Sequence, residues 1–78
     1  MALKYAETIP KEFWLDREWG FDHYATLARH YASQWVAIAN RKVVASSKNL
    51  GEAEIQARKK TGKVHIPVLF IEKGGHVY

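Results

Sequence analysis

The chain has 78 residues, a formal net charge of +4 and no cysteine. A chain of this length forms one domain at most and buries roughly 60–65% of its unfolded surface, so its stability is marginal without a cross-link or a partner. Because there is no cysteine, disulfide bonds and thiolate metal sites are excluded, and oligomerisation or docking is the remaining route to extra stability.

Charge and aromatic residues are distributed unevenly. Residues 1–35 carry four basic and five acidic groups, whereas residues 36–78 carry eight basic and three acidic groups, and eight of the ten aromatic residues precede Val36. The longest apolar run is far shorter than the roughly 20 residues that cross a bilayer. The first residues also lack the apolar segment of a signal peptide. The sequence therefore predicts a cytoplasmic protein without membrane insertion.

The first 19 residues show no regular apolar period, and Pro10 and Gly20 punctuate them. They contain Phe13, Trp14 and Trp19 with no obvious element to carry them. This pattern predicts an extended N-terminal arm over residues 1–19, followed by a single α+β domain over residues 20–78. The arm would pack either on another chain or back onto the domain, and the sequence does not distinguish between these two arrangements.

Residues 21–33 have apolar side chains at the i, i+3, i+4 spacing of a helix, and Asp22 is placed to cap its start. Two β-rich runs follow, over residues 35–39 and 42–46, with Asn40 and Arg41 between them. A two-residue loop predicts a β-hairpin with a type I′ turn, which requires positive φ at both loop residues. Asn40 tolerates that conformation, whereas Arg41 is strained by it.

The predicted hairpin register places Ile38 opposite Val43 and Ala37 opposite Val44. Both faces of the resulting hairpin are apolar, whereas a sheet with one wet face alternates apolar and polar residues. We therefore expect both faces to be covered, one by helices and the other by the N-terminal arm or by a second subunit.

A second helix is predicted from about Leu50 to Thr61, capped by Asn49 and stopped by Gly62. Its inward face is mostly alanine, and Ile55 points away from that face without an evident partner inside the chain. Residues 67–72 predict a third strand and residues 76–78 a short fourth one.

The element order is α-β-β-α-β. A right-handed crossover between the second and third strands makes them parallel, and the first strand fits between them. The sequence thus predicts a small α+β domain with a largely antiparallel three-stranded sheet in the order 2-1-3. Helices are expected on one face, and the edge strands are expected to be open to pairing.

The hairpin and the segments on either side of it resemble a known protein family. Four features carry the resemblance: the run Tyr31-Ala-Ser-Gln-Trp-Val-Ala-Ile, the later Val-Val-Ala strand, the spaced alanines of the second helix and the Pro-led apolar strand. With these features the sequence resembles an uncharacterised family of small prokaryotic proteins, a domain of unknown function. The resemblance covers residues 21–72. This chain departs from the family pattern at Ser33 and Arg41, where glycine is usual. The family implies no activity, cofactor or catalytic residue.

The sequence predicts no catalytic, cofactor-binding or metal-binding residues, and thus no enzyme. His23 and His30 are seven residues apart, which on one helix places them about 10 Å from each other, too far to share a metal ion. The serines lack the strained turn or positioned base of a nucleophile, and Gly74-Gly75 lacks the helix that follows a phosphate loop.

Two functional interpretations remain. The first is a non-catalytic protein-interaction module or small accessory subunit, either a homodimer or part of a larger hetero-assembly. Its contacts would be an open sheet edge and four apolar side chains: Phe13, Trp14, Trp19 and Ile55. The alternative is a basic, antitoxin-like regulator associated with nucleic acid, whose contacts would be Arg58, Lys59, Lys60 and Lys63. The alternative is less favoured, since basic residues in the last turn of a helix also satisfy its dipole.

Overall fold

A computed structural model describes residues 9–73 of the chain. Their elements are α1 (Lys11–Asp22), α2 (Tyr24–Tyr31), β1 (Gln34–Ile38), β2 (Val43–Ser47), α3 (Leu50–Thr61) and β3 (Val68–Ile71). The sheet has the order β2-β1-β3, and both neighbours run antiparallel to β1. The predicted α+β fold and its 2-1-3 sheet are confirmed. The short strand predicted over residues 76–78 lies outside the described residues.

The extended arm predicted over residues 1–19 is wrong where the structure describes it, because residues 11–19 belong to α1. This helix buries Asp16 and Gly20, while Trp14 and Phe21 remain about half exposed. Its inward side combines Asp16 and Gly20 with Trp19, while Trp14 and Phe21 face outward, so apolar residues do not follow the usual helical period. The helix predicted over residues 21–33 is instead divided at His23 between α1 and α2.

Gly20 lies inside α1 and does not end it. A Cβ atom at this position would lie 2.5 Å from Ile38 Cδ1 and 2.6 Å from Leu69 Cδ1. The missing side chain therefore lets α1 approach the sheet closely enough to cover it.

Helices cover both faces of the sheet, so the prediction of helices on one face is wrong. Successive residues of β1 point to opposite faces. Val36 and Ile38 pack in one cluster with Leu27 of α2, whereas Ala37 packs in a second cluster with Ala57 of α3. The two apolar faces of the hairpin are thus covered within the chain, because α1 and α2 supply one layer and α3 the other.

The β1–β2 pairing contains a bulge. Ile38 lies opposite Val43 as predicted, but Ala37 lies opposite Ala45, and the register shifts between these two pairs. The predicted pairing of Ala37 with Val44 is therefore wrong by one residue, since the bulge inserts an additional residue into β2.

The predicted bounds of α3 are confirmed. The Asn49 side-chain oxygen accepts a hydrogen bond from the Glu52 amide at 3.0 Å. At the other end Gly62 has a φ of 73° and donates its N–H to the Arg58 carbonyl at 2.8 Å. Both ends of the helix are thus satisfied locally, as its sequence predicts.

Candidate functional site

The outward side of α1 carries a patch that we call the α1 aromatic face. It consists of Trp14, Leu15 and Phe21, which are 51%, 45% and 49% exposed, together with Arg17 and Glu18. The Arg17 guanidinium lies over the Phe21 ring, 4.8 Å from its centroid. Trp14 and Phe21 lie seven residues apart, two helical turns, so they share one side of the helix. This spacing is the sequence signal that could have added Phe21 to the predicted contact residues.

The structure separates the other predicted interface residues. Phe13 is half-buried and meets Trp14 edge to face, with ring centroids 4.9 Å apart. Trp19 packs against the core cluster and stacks on His23 at 4.3 Å. Ile55 is 54% exposed but lies on α3, where it lines a different surface hollow. Of the three predicted aromatic contacts, Trp14 is therefore the one that faces outward.

Asp16 connects α1 to the hairpin turn. Its carboxylate is buried and accepts hydrogen bonds from the amides of Asn40 at 3.2 Å and Arg41 at 2.9 Å. The Arg41 guanidinium adds a contact at 3.3 Å. Asn40 and Arg41 have φ values of 54° and 56°, as the type I′ turn requires. Sequence reasoning missed Asp16, because nothing near it in the chain marks a carboxylate that pairs with backbone amides 24 and 25 residues away.

A shallow cleft lies between the start of α1 and the loop before β3. Its volume is about 180 Å³, and its lining includes Phe13, Asp16 and His65. Lys63 spans it, donating hydrogen bonds to Glu12 Oε1 and Asn40 Oδ1, both at 3.1 Å. This volume lies below the roughly 300 Å³ at which small-molecule pockets begin. The polar groups at the cleft instead tie the loop to α1 and to the hairpin.

The basic residues divide into two sets. Arg58, Lys59 and Lys60 are exposed in the last turn of α3. Lys60 lines an open hollow together with Lys42 of the hairpin. Lys63, in contrast, is paired with Glu12. The surface available to an anion therefore runs from the end of α3 to Lys42, a residue that sequence reasoning did not group with it.

The β3 edge of the sheet is occupied at one end. The Tyr24 hydroxyl donates a hydrogen bond to the Phe70 carbonyl at 3.3 Å and accepts one from the Glu72 amide at 2.8 Å. A side chain thus takes the place that a neighbouring strand would take at these two groups. On the other edge, the bulge in β2 interrupts the flat geometry that strand pairing needs.

Within residues 9–73, no three His, Cys, Asp or Glu side chains lie close enough together to hold a metal ion. His23 precedes the first residue of α2 and His30 lies in its last turn, and His23 Nδ1 is 2.8 Å from the Trp19 carbonyl oxygen. The helices in the described part of the chain are each too short or too polar to cross a membrane.

Comparison with known proteins identifies a family without assigning an activity. Residues 26–74 match DUF5678, a family of unknown function, and the match spans more than half of the chain. The chain therefore belongs to this family. The comparisons with curated proteins and with solved structures give no significant match. The matched region begins in α2, so α1 and its aromatic face lie outside it.

Proposed function

We propose that this DUF5678 member is a cytoplasmic, non-catalytic protein-interaction module, or a small accessory subunit of a larger assembly, that contacts another protein chain through the α1 aromatic face. One observation supports the proposal most strongly. The large apolar side chains of α1, Trp14, Leu15 and Phe21, point outward while the helix is anchored inward by Asp16. Burying half-exposed aromatic rings is favourable, and such residues are enriched where interfaces concentrate their binding energy.

The proposal uses the helix face and not the sheet edge. Tyr24 occupies part of the β3 edge, and the bulge disturbs β2, so neither edge offers a regular row of free backbone groups. The α1 aromatic face, in contrast, combines two half-exposed aromatic rings with an arginine, residue types that are enriched at protein interfaces.

Site-specific photo-crosslinking in cells tests this proposal. A photoreactive phenylalanine analogue replaces Trp14 in one variant and Thr26, which is exposed on α2, in a control variant. We expect a discrete cross-linked species from position 14 and none from position 26. The proposal fails if position 14 gives no adduct, or if both positions give the same diffuse background.

A second candidate function rests on the basic surface. Lys60 of α3 and Lys42 of the hairpin line the same hollow, with Arg58 and Lys59 in the neighbouring turn, so positive charge extends across two elements. We propose as the alternative a basic, antitoxin-like regulator that contacts nucleic-acid phosphates through this surface. Such contacts carry little sequence information and weaken steeply with salt.

Fluorescence anisotropy with a labelled DNA duplex tests the alternative. Binding should fall steeply between low and moderate salt and should be lost in a Lys59→Glu/Lys60→Glu variant. Lys73→Glu, an exposed charge reversal beyond β3, should retain most of the affinity. No binding at low salt, or equal loss in both variants, would rule this surface out.

A further inference from the structure

Four exposed side chains of α1 lie along one stripe. Trp14, Arg17, Glu18 and Phe21 follow the spacing i, i+3, i+4, i+7, which places them on one side of the helix. These residues also line one open hollow on the surface. The two rings therefore stand at the ends of the stripe and the two opposite charges in its middle.

The order of these groups is self-complementary. In the N-to-C direction the stripe presents an aromatic ring, a cation, an anion and a second aromatic ring. If a second α1 helix lies antiparallel on the first, with the two-fold axis between residues 17 and 18, Trp14 faces Phe21 of the second copy. Arg17 then faces Glu18 of the second copy, and the symmetry repeats each contact. A parallel arrangement would instead set like charges side by side.

Resting on the proposed function above, we propose that the chain bound by the α1 aromatic face is a second copy of this chain, paired through antiparallel α1 helices. Charge complementarity favours this occupant. The face carries both signs of charge, so a partner of a single sign would set at least one of Arg17 and Glu18 against a like charge, whereas a second copy pairs Arg17 and Glu18 with their opposites.

The contact is short. α1 has 12 residues, and a helix of that length extends about 18 Å. Two such helices bury less surface than the roughly 1,600 Å² of a standard stable interface. We therefore expect a reversible dimer whose population depends on protein concentration.

Sedimentation equilibrium of the purified full chain measures this association. The apparent mass should rise with concentration from that of one 9.0 kDa chain to twice that value. Arg17→Glu and Glu18→Arg, each alone, should weaken association at least about tenfold, because each sets like charges against each other across the axis. Arg29→Glu, an exposed charge reversal on α2, is the matched control and should leave the association unchanged.

The decisive experiment mixes the two charge variants. An Arg17→Glu chain and a Glu18→Arg chain restore both opposite-charge contacts only with each other, so the mixture should form a heterodimer at concentrations at which each variant alone is mostly monomeric. Rescue on mixing also shows that both variants are folded.

Two results would overturn the second copy as the partner. One is a wild-type chain that remains monomeric at all concentrations, and the other is a dimer that persists undiminished in both charge variants. A monomeric chain that still gives a discrete adduct with a different protein from position 14 would overturn this inference alone. Absence of any adduct would remove the proposed function as well.

Discussion

Replacing Asp16 by asparagine tests how the hairpin turn is held. The carboxylate accepts backbone N–H bonds from Asn40 and Arg41 and also contacts the Arg41 guanidinium. An asparagine side chain keeps one acceptor oxygen but turns an NH₂ group toward a second donor. Hydrogen bonds to charged groups contribute about 1.5–3 kcal/mol each, so losing one bond and weakening the other should lower the free energy of unfolding by about 2–3 kcal/mol.

In a domain of this size, a loss of that magnitude lowers the melting temperature by about 10–20 °C. Circular dichroism during heating, together with urea titration, measures both quantities. Asp22→Asn is the control, because it makes the same chemical change at an exposed position of the same helix. A melting temperature of Asp16→Asn within about 2 °C of wild type would refute the view that this carboxylate stabilises the turn.

A second substitution separates the backbone bonds from the guanidinium contact. Arg41 has a φ of 56°, a conformation that glycine adopts without the roughly 1–2 kcal/mol that other residues lose there. Its side chain is 45% exposed, so removing its ion pair with Asp16 should cost less than about 1 kcal/mol. Arg41→Gly should therefore be neutral or stabilising. Asp16→Asn should remain destabilising in that background, because the amides of Asn40 and Arg41 still lose their acceptor.

Three further substitutions test individual elements by urea denaturation. Gly20→Ala should destabilise the protein by about 1–3 kcal/mol despite its better helix propensity. The new Cβ would lie 2.5 Å from Ile38 Cδ1 and 2.6 Å from Leu69 Cδ1, so both packed side chains would have to shift. An unchanged midpoint would contradict the view that packing of α1 on the sheet depends on this glycine. Asn49→Ala should cost about 1 kcal/mol by removing the N-cap of α3, and Asn49→Asp should restore it. Ser33→Gly should stabilise the protein by up to about 1 kcal/mol, because Ser33 has a φ of 63°; a loss of stability would show that its side chain contributes more than the backbone strain.

The elements with local signals were predictable from the sequence. The hairpin turn follows from two β-rich runs separated by two residues, and α3 follows from Asn49 and Gly62, each of which acts on backbone groups within a few residues of itself. The resemblance also identified Ser33 and Arg41 as positions where glycine is usual, and both adopt positive φ. Such features depend on short stretches of chain, which a single sequence displays directly.

The features that depend on distant contacts were not predictable in the same way. The bulge in β2 shifts the register, so that Ala45 and not Val44 lies opposite Ala37, and no residue near the turn marks this shift in the sequence. In the sequence, Gly20 indicates the boundary of an element, and its role in helix packing becomes clear only from its distance to the sheet. The three aromatic contact residues were likewise assigned to an arm, whereas the structure turns Trp19 inward and Trp14 outward.

The packing of α1 explains how folding and the proposed binding can use different sides of one helix. Burying Trp14 and Phe21 against the sheet would be favourable in itself, but it would need a rotation of the helix that turns Trp19 away from the core cluster. Asp16 also opposes that rotation, because its buried carboxylate accepts hydrogen bonds from the hairpin amides. Gly20 opposes it as well, because Ile38 and Leu69 approach the helix at a distance that leaves no room for a Cβ atom. Asp16 and Gly20 therefore help to keep the α1 aromatic face in solvent, where the proposed partner chain would meet it without disturbing the core.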